Sequence, residues 1–181
     1  MGETQLTKTL KMAAMLFLKN HLCDEIAPEV KIYPVRTLLN NRKMDRHHTI
    51  DVCGVGVKYR YSQNPRESMI KEPIIRGIEI KISRGDFRNG FIHSGCNYNY
   101  LLFPKNLIKK DEVVKSVGLI EYDPETFSVK KVGMKYWFNG FKVIRVPRYK
   151  KISESEFSYV RGQIGYCATI QMLQWAREQL T

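Results

Sequence analysis

The chain predicts a mixed α/β (α+β) fold in a single domain, with a mixed central sheet flanked by helices. An apolar stripe at helical spacing opens the chain, strand-length apolar runs separated by turn residues fill its middle, and a capping-box pattern starts a helix near its end. With 181 residues and 43% hydrophobic content, it is long enough to bury a core and too apolar for disorder to be the default.

Each element follows from its pattern. Leu6, Leu10, Ala13, Ala14, Phe17, Leu18 and Leu22 recur at helical spacing and predict a helix that ends near Cys23 and covers the sheet. In the strand expected at Glu29 to Val35, Val30, Ile32 and Pro34 alternate with Lys31, Tyr33 and Val35, and the proline puts it near an edge or an end. Arg36 to His48 is polar and basic and reads as an exposed loop. A strand follows from His48 to about Tyr61, then a loop from Ser62 to Pro73, then a second apolar strand through Ile78, Ile80 and Ile82. Ser83 to Phe87 reads as the exit of that strand into a short helix with Ser83 or Asp86 as N-cap. Tyr98 to Phe103 is strand-like, and Leu107 to Val114 predicts a helical turn or two.

Asp123-Pro124-Glu125-Thr126 between Val117–Tyr122 and Phe127–Val132 predicts a hairpin, and Asn139-Gly140 marks a second turn between Met134–Phe138 and Phe141–Arg145. Ser153 and Glu156 form the capping box of a helix carrying Phe157, Val160, Ile164, Ala168, Met172 and Trp175. The expected division is a core of about 1–122 and an extension of about 123–181 holding a basic hairpin and the C-terminal helix.

Composition narrows the function classes. Thirty Lys and Arg against 18 Asp and Glu give a net charge of +12, which points to a polyanionic partner. The four cysteines form no Cys-x-x-Cys pair, so a zinc framework is not expected, and with no signal-peptide pattern before them they predict a reducing, cytoplasmic setting. The apolar stretch Met12 to Leu18 is too short to span a bilayer, so no membrane partner is expected.

Two opposite charges interrupt the second apolar strand. Side chains alternate across a strand, so Glu79 and Lys81 point one way while Ile78, Ile80 and Ile82 pack on the other. Asp51 sits in the preceding strand. Two carboxylates with the backbone carbonyl of Ile80 would suit Mg²⁺, which takes oxygen ligands and keeps several waters, and Lys81 would then stand beside a metal-bound water and a phosphate. The same spacing also fits a cross-strand ion pair on a solvated face.

The order helix, strand, Asp51 strand, Glu79-Ile80-Lys81 strand, helix, strand resembles the PD-(D/E)XK, or restriction-endonuclease-like, nuclease superfamily. Ile78 to Phe87, then Cys96-Asn97-Tyr98-Asn99-Tyr100-Leu101-Leu102-Phe103-Pro104 and Gly118-Leu119-Ile120, resemble its MmcB-type branch of DNA-repair nucleases over about residues 29–122. The resemblance implies a restriction-endonuclease-like core and a Mg²⁺- or Mn²⁺-dependent DNA phosphodiesterase, with Asp51 and Glu79 as metal ligands and Lys81 as the catalytic lysine. It implies a further upstream acid, for which Glu29 is the candidate and Glu25 the reserve. Ile50 stands where the superfamily name has proline, and Arg88 to Gly95 is shorter than the helix the branch carries there.

Arg84 and His48 are the candidate phosphate contacts near these strands. Arg145, Arg148, Lys150 and Lys151, interleaved with Tyr149, are candidates for gripping a nucleic-acid backbone. DNA is the expected partner, with RNA also compatible and a homodimer a way to cut both strands. A module that binds nucleic acid on the same fold without hydrolysing it fits the same features.

Overall fold

The structure, a computed structural model, describes residues 4–32, 48–60, 69–91, 95–133 and 135–180. Segments 33–47 and 61–68, with most of the two loops expected there, lie outside the described residues. Among the described residues no helix is long and apolar enough to cross a membrane.

The fold is mixed α+β. Helix α1 (Gln5–Asn20) starts at Thr4, whose hydroxyl accepts from Thr7 N–H. Strand β1 (Cys23–Ile32) follows almost at once, six residues ahead of the expected start at Glu29. Then come β2 (His48–Arg60), β3 (Ile70–Ile80), helix α2 (Arg84–Arg88), β4 (Tyr98–Pro104), a 3₁₀ turn (Lys110–Glu112), β5 (Gly118–Tyr122), β6 (Ser128–Val132), β7 (Lys135–Asn139), β8 (Phe141–Arg145) and α3 (Glu154–Leu180). Pro73, expected to end a loop, lies inside β3 opposite Val57. Pairing of β3 with β4 begins only at Arg76, so the proline sits where β3 has an open edge and its missing N–H costs little.

Six strands form one sheet in the order β1-β2-β3-β4-β5-β8, and β6 and β7 form a separate two-stranded sheet. The β1-β2-β3 pairs are antiparallel, β3-β4 and β4-β5 are parallel, and β8 returns antiparallel to β5. The expected hairpin between β5 and β6 is not made, nor are β7 and β8 paired across Asn139-Gly140: β5 takes β8 and β6 takes β7. The reason lies in the side chains. Phe141 and Ile144 of β8 serve the clusters on the two faces of the sheet, whereas Lys130 and Lys131 of β6 are exposed. Gly140 makes the passage from the small sheet to the large one. Its φ is +80°, and a Cβ there would lie 2.7 Å from Phe127 Cα.

Helix α1 covers one face, packing Leu10, Ala14, Phe17 and Leu18 against Val52, Ile78, Ile80, Tyr100 and Leu102. Helix α3 covers β1 and β2 on the other, setting Val160 and Ile164 against Ala27, Val30, Ile50 and Cys53. The segment beyond residue 122 is therefore built into the fold, supplying the sixth strand and one helical layer. Met172 and Trp175, expected on the packed face of α3, are exposed; Gln171 still reaches the Pro28 carbonyl, and the helix runs on past the sheet.

The strap 146–151 crosses the strand starts. Arg148 N–H donates to Ser116 O ahead of β5, Lys150 N–H to Asn97 O ahead of β4, and Tyr149 OH to Glu72 in early β3. Asn97 ties these parts together by accepting from Ile75 N–H and donating to Lys150 O. Arg145, expected at a nucleic-acid backbone, is instead a bracket inside the fold. Its guanidinium donates to the carbonyls of Val117 (2.8 Å), Lys110 (2.8 Å), Val113 (3.2 Å) and Val114 (2.9 Å), a loop whose carbonyls have turned away from any ladder. Replacing Arg145 by Met should leave those acceptors short of donors and cost about 2–4 kcal/mol in urea denaturation, without weakening nucleic-acid binding.

Candidate active site

The site forms where β2 and β3 part. Their ladder ends with Val52 opposite Ile78. Two residues further, Ile80 N–H donates to the Asp51 side chain, Oδ2 at 2.7 Å, so a carboxylate replaces a carbonyl in the ladder. On the other side of β2, Pro28 pairs with Val52 and Val30 with Ile50, and Glu29 between them has a φ of +53°, a region a non-glycine residue rarely enters. Because β3 and β4 are parallel, the carboxyl ends of both open here, the usual place for a ligand crevice in an open sheet.

Glu79 and Lys81 project together, as their spacing predicts, and both are buried. Lys81 Nζ lies 3.3 Å from Glu79 Oε1 and 3.4 Å from Asp86 Oδ1. Asp86 is held in turn by Ile82 N–H at 3.2 Å, while its own N–H donates to Ser83 Oγ, the N-cap of α2. Ser83 thus caps the helix as expected, and Asp86 does more than cap: it fixes the lysine. Ile78 and Ile80 pack under α1 as expected, but Ile82 lies beyond the strand and is 37% exposed.

Burial and like charge set the electrostatics. The Glu79 carboxyl is pushed up to about 7, first by burial and then by the Asp51 charge, with Lys81 and the Asp51 backbone amide opposing. Burial also raises Asp51, against the Ile80 N–H, Lys11 and Lys81. Glu79 Oε2 is buried without any hydrogen-bond partner. Such an orphan costs about 1–3 kcal/mol unless something pairs with it.

The donor set is of the kind that an oxygen-seeking cation takes. Asp51 and Glu79 supply hard oxygen donors, and among the described residues no set of three or more His, Cys, Asp or Glu side chains comes together. A cation held here would complete its shell with a backbone carbonyl, water and phosphate, as Mg²⁺ commonly does. Glu29 is at the site but otherwise engaged: Lys11, from α1, reaches Glu29 Oε1 at 2.7 Å and Asp51 Oδ1 at 3.9 Å. Glu25, the reserve, pairs with Arg161 on α3. Sequence reasoning misses Lys11, whereas Asp86 reads there chiefly as a helix cap and also as a group that could tune Lys81. Only the outward stripe of Lys8, Lys11, Met12, Met15 and Lys19 on α1 hinted at Lys11.

The expected nucleic-acid contacts scatter. Arg84 grips Glu112 with both terminal nitrogens, at 2.6 and 2.9 Å, and donates to Leu107 O, so it clamps α2 to the 3₁₀ turn. Glu112 is held at about 2 by that grip. His48, half-buried, lies at the start of β2, three residues from Asp51 and at the same end of the sheet. Arg148, Lys150 and Lys151 are exposed but sit at the opposite end: Glu79 aligns with Leu101, and Asn97, which Lys150 bonds, is about 13 Å back along β4 at ~3.3 Å per residue.

No family model and no curated protein matches the chain. A solved structure of SPO1766, a protein of unknown function from Silicibacter pomeroyi, superposes with a TM-score of 0.57 at 16% identity, covering 98% of this chain and 95% of that one. That likeness shows the fold.

Glu79 makes stability depend on pH. The folded state binds its proton more tightly than the unfolded chain, so its contribution is full below about pH 4.5 and is lost as pH rises through about 7. Urea denaturation should show Glu79→Gln to be about 2–3 kcal/mol more stable than wild type at pH 8, and the difference should shrink by pH 5. A gap that does not change with pH would contradict the assignment.

Proposed function

We propose that the chain is a divalent-metal-dependent phosphodiesterase acting on DNA, a small nuclease in which Asp51 and Glu79 hold Mg²⁺ or Mn²⁺ and Lys81 acts on the phosphate. The observation that supports this most is the buried carboxylate pair with Glu79 Oε2 unpartnered beside Lys81. An ion pair serving stability alone gains nothing from leaving that oxygen bare. The resemblance of the Asp51, Glu79-Ile80-Lys81 and Ser83 to Phe87 segments to PD-(D/E)XK nucleases supports the same reading.

The residues divide the work by position. Asp51 and Glu79, with the Ile80 carbonyl between their two strands, supply the oxygen donors. A bound Mg²⁺ or Mn²⁺ would polarise a phosphoryl oxygen and lower the pKa of a coordinated water. Lys81 offers its ammonium hydrogens to the incoming water and to the charge that grows on the phosphate. Asp86 holds Lys81 in that line, and Ser83 holds Asp86. The buried walls keep the local dielectric low, so these charges act more strongly than they would in water.

Purified protein incubated with DNA and Mg²⁺ or Mn²⁺ should release cleaved products. Lys81→Ala and Asp51→Asn should each lower the single-turnover rate by roughly 10²-fold or more. Cleavage that survives undiminished in Lys81→Ala would contradict the mechanism.

A further inference from the structure

The outward face of α1 borders a groove that the proposed chemistry does not use. The groove, of about 560 Å³, lies between α1, β1 and the β6–β7 sheet. Its floor is apolar, with Met12, Met15 and Tyr136, and its rim is cationic, with Lys8, Lys11 and Lys19. The α1 residues fall one helical turn apart along a single stripe, so the lysines form a row about 16 Å long at ~1.5 Å per residue. Met12 is 42% exposed and Tyr136 45%. Lys131, the cross-strand partner of Tyr136, has Nζ 5.8 Å from that ring and adds a cation to the far bank.

Lys11 joins this groove to the site. It lines the groove, yet its Nζ reaches Glu29 at 2.7 Å and Asp51 at 3.9 Å. Its side chain is 12% exposed, so one largely covered ammonium belongs to both places. Two of the groove's lysines pair with acids of β1, Lys11 with Glu29 and Lys19 with Asp24. The second pair is on the surface, where such pairs contribute little and yield readily to a phosphate. Apolar and aromatic surface for bases between cations for a backbone is the arrangement that suits an unpaired polynucleotide strand. A duplex, whose bases face inward, gains nothing from the apolar floor.

We infer that this groove binds a single-stranded polynucleotide and leads it past Lys11 to Asp51 and Glu79, so that the substrate is an unpaired strand or the unpaired arm of a branched duplex. Tyr136 stacks on a base. Lys8, Lys19 and Lys131 take the backbone, and Lys11 meets the phosphate that enters the site, with Glu29 as its counter-ion and not a metal ligand. This inference rests on the nuclease reading for what happens at the end of the groove, and on the groove alone for what binds in it.

Fluorescence anisotropy in Ca²⁺ tests binding apart from cleavage, using a labelled dT oligonucleotide, its rU counterpart and a blunt duplex of the same length. Wild type should hold the dT or rU strand at least ten-fold more tightly than the duplex, and the two single-strand arms tell which sugar it prefers. The exposed double variant Lys8→Gln, Lys19→Gln should flatten the log–log salt dependence for the single strand by about 1.4. Tyr136→Ala should weaken the single strand by roughly ten-fold, and neither change should alter Mn²⁺ affinity measured by calorimetry. Duplex binding as tight as single-strand binding, or variants that bind the strand like wild type, would overturn the inference. If those variants bind like wild type while wild type still cuts DNA, the groove fails and the nuclease stands. If they lose the single strand while wild type never cuts, the groove stands and the nuclease reading fails.

Discussion

The structure turns on two carboxylates, Asp51 and Glu79, brought to one place and largely buried where β2 and β3 part. Neither Asp51 nor Glu79 has enough partners to make its charge comfortable there. Asp51 takes one backbone N–H and distant help from Lys11, and Glu79 shares Lys81 through one oxygen while the other stays bare. Burial pushes both carboxyls up, and for Glu79 the neighbouring Asp51 charge adds to it. A fold that keeps such an arrangement spends stability on it, a pattern common where a charge partner arrives from outside.

Much of the remaining architecture keeps this crevice in shape. The β2–β3 ladder opens at Asp51, and parallel β3 and β4 end beside it, so three strand ends meet at one edge. Helix α1 seals one face by packing on Ile78 and Ile80, on the strands that carry Asp51 and Glu79, and sends Lys11 around the edge. At the far end of the sheet, Asn97 and the strap through Tyr149 tie β3, β4 and β5 together, and Arg145 gathers the carbonyls of the loop before β5. The two ends therefore differ in kind: one is closed by mutual hydrogen bonds, and the other is left short of partners.

The site itself was legible because a strand has a period of two. Glu79 and Lys81 had to share a face, and Asp51 in the neighbouring strand could meet them with little freedom. Lys11 was not legible, since it arrives on a helix carried to the site by packing, and Asp86 read both as a cap and as a partner of Lys81. The partners of Arg84 and Arg145 were not legible for a related reason: sequence shows a cation but not the Glu112 carboxylate or the open loop carbonyls it engages. The strand partners after residue 122 failed likewise. Asp123-Pro124 and Asn139-Gly140 are sound turns locally, but which strand joins the sheet is decided by Phe141 and Ile144 finding the core, a long-range matter.

The central claim is that Asp51 and Glu79 together hold a divalent cation, and anomalous scattering from crystals soaked in Mn²⁺ tests it most directly. An anomalous peak is expected between the two carboxylates, with Glu79 Oε2 among its ligands. Manganese bound elsewhere, with Glu79 Oε2 still lacking a partner, would contradict it.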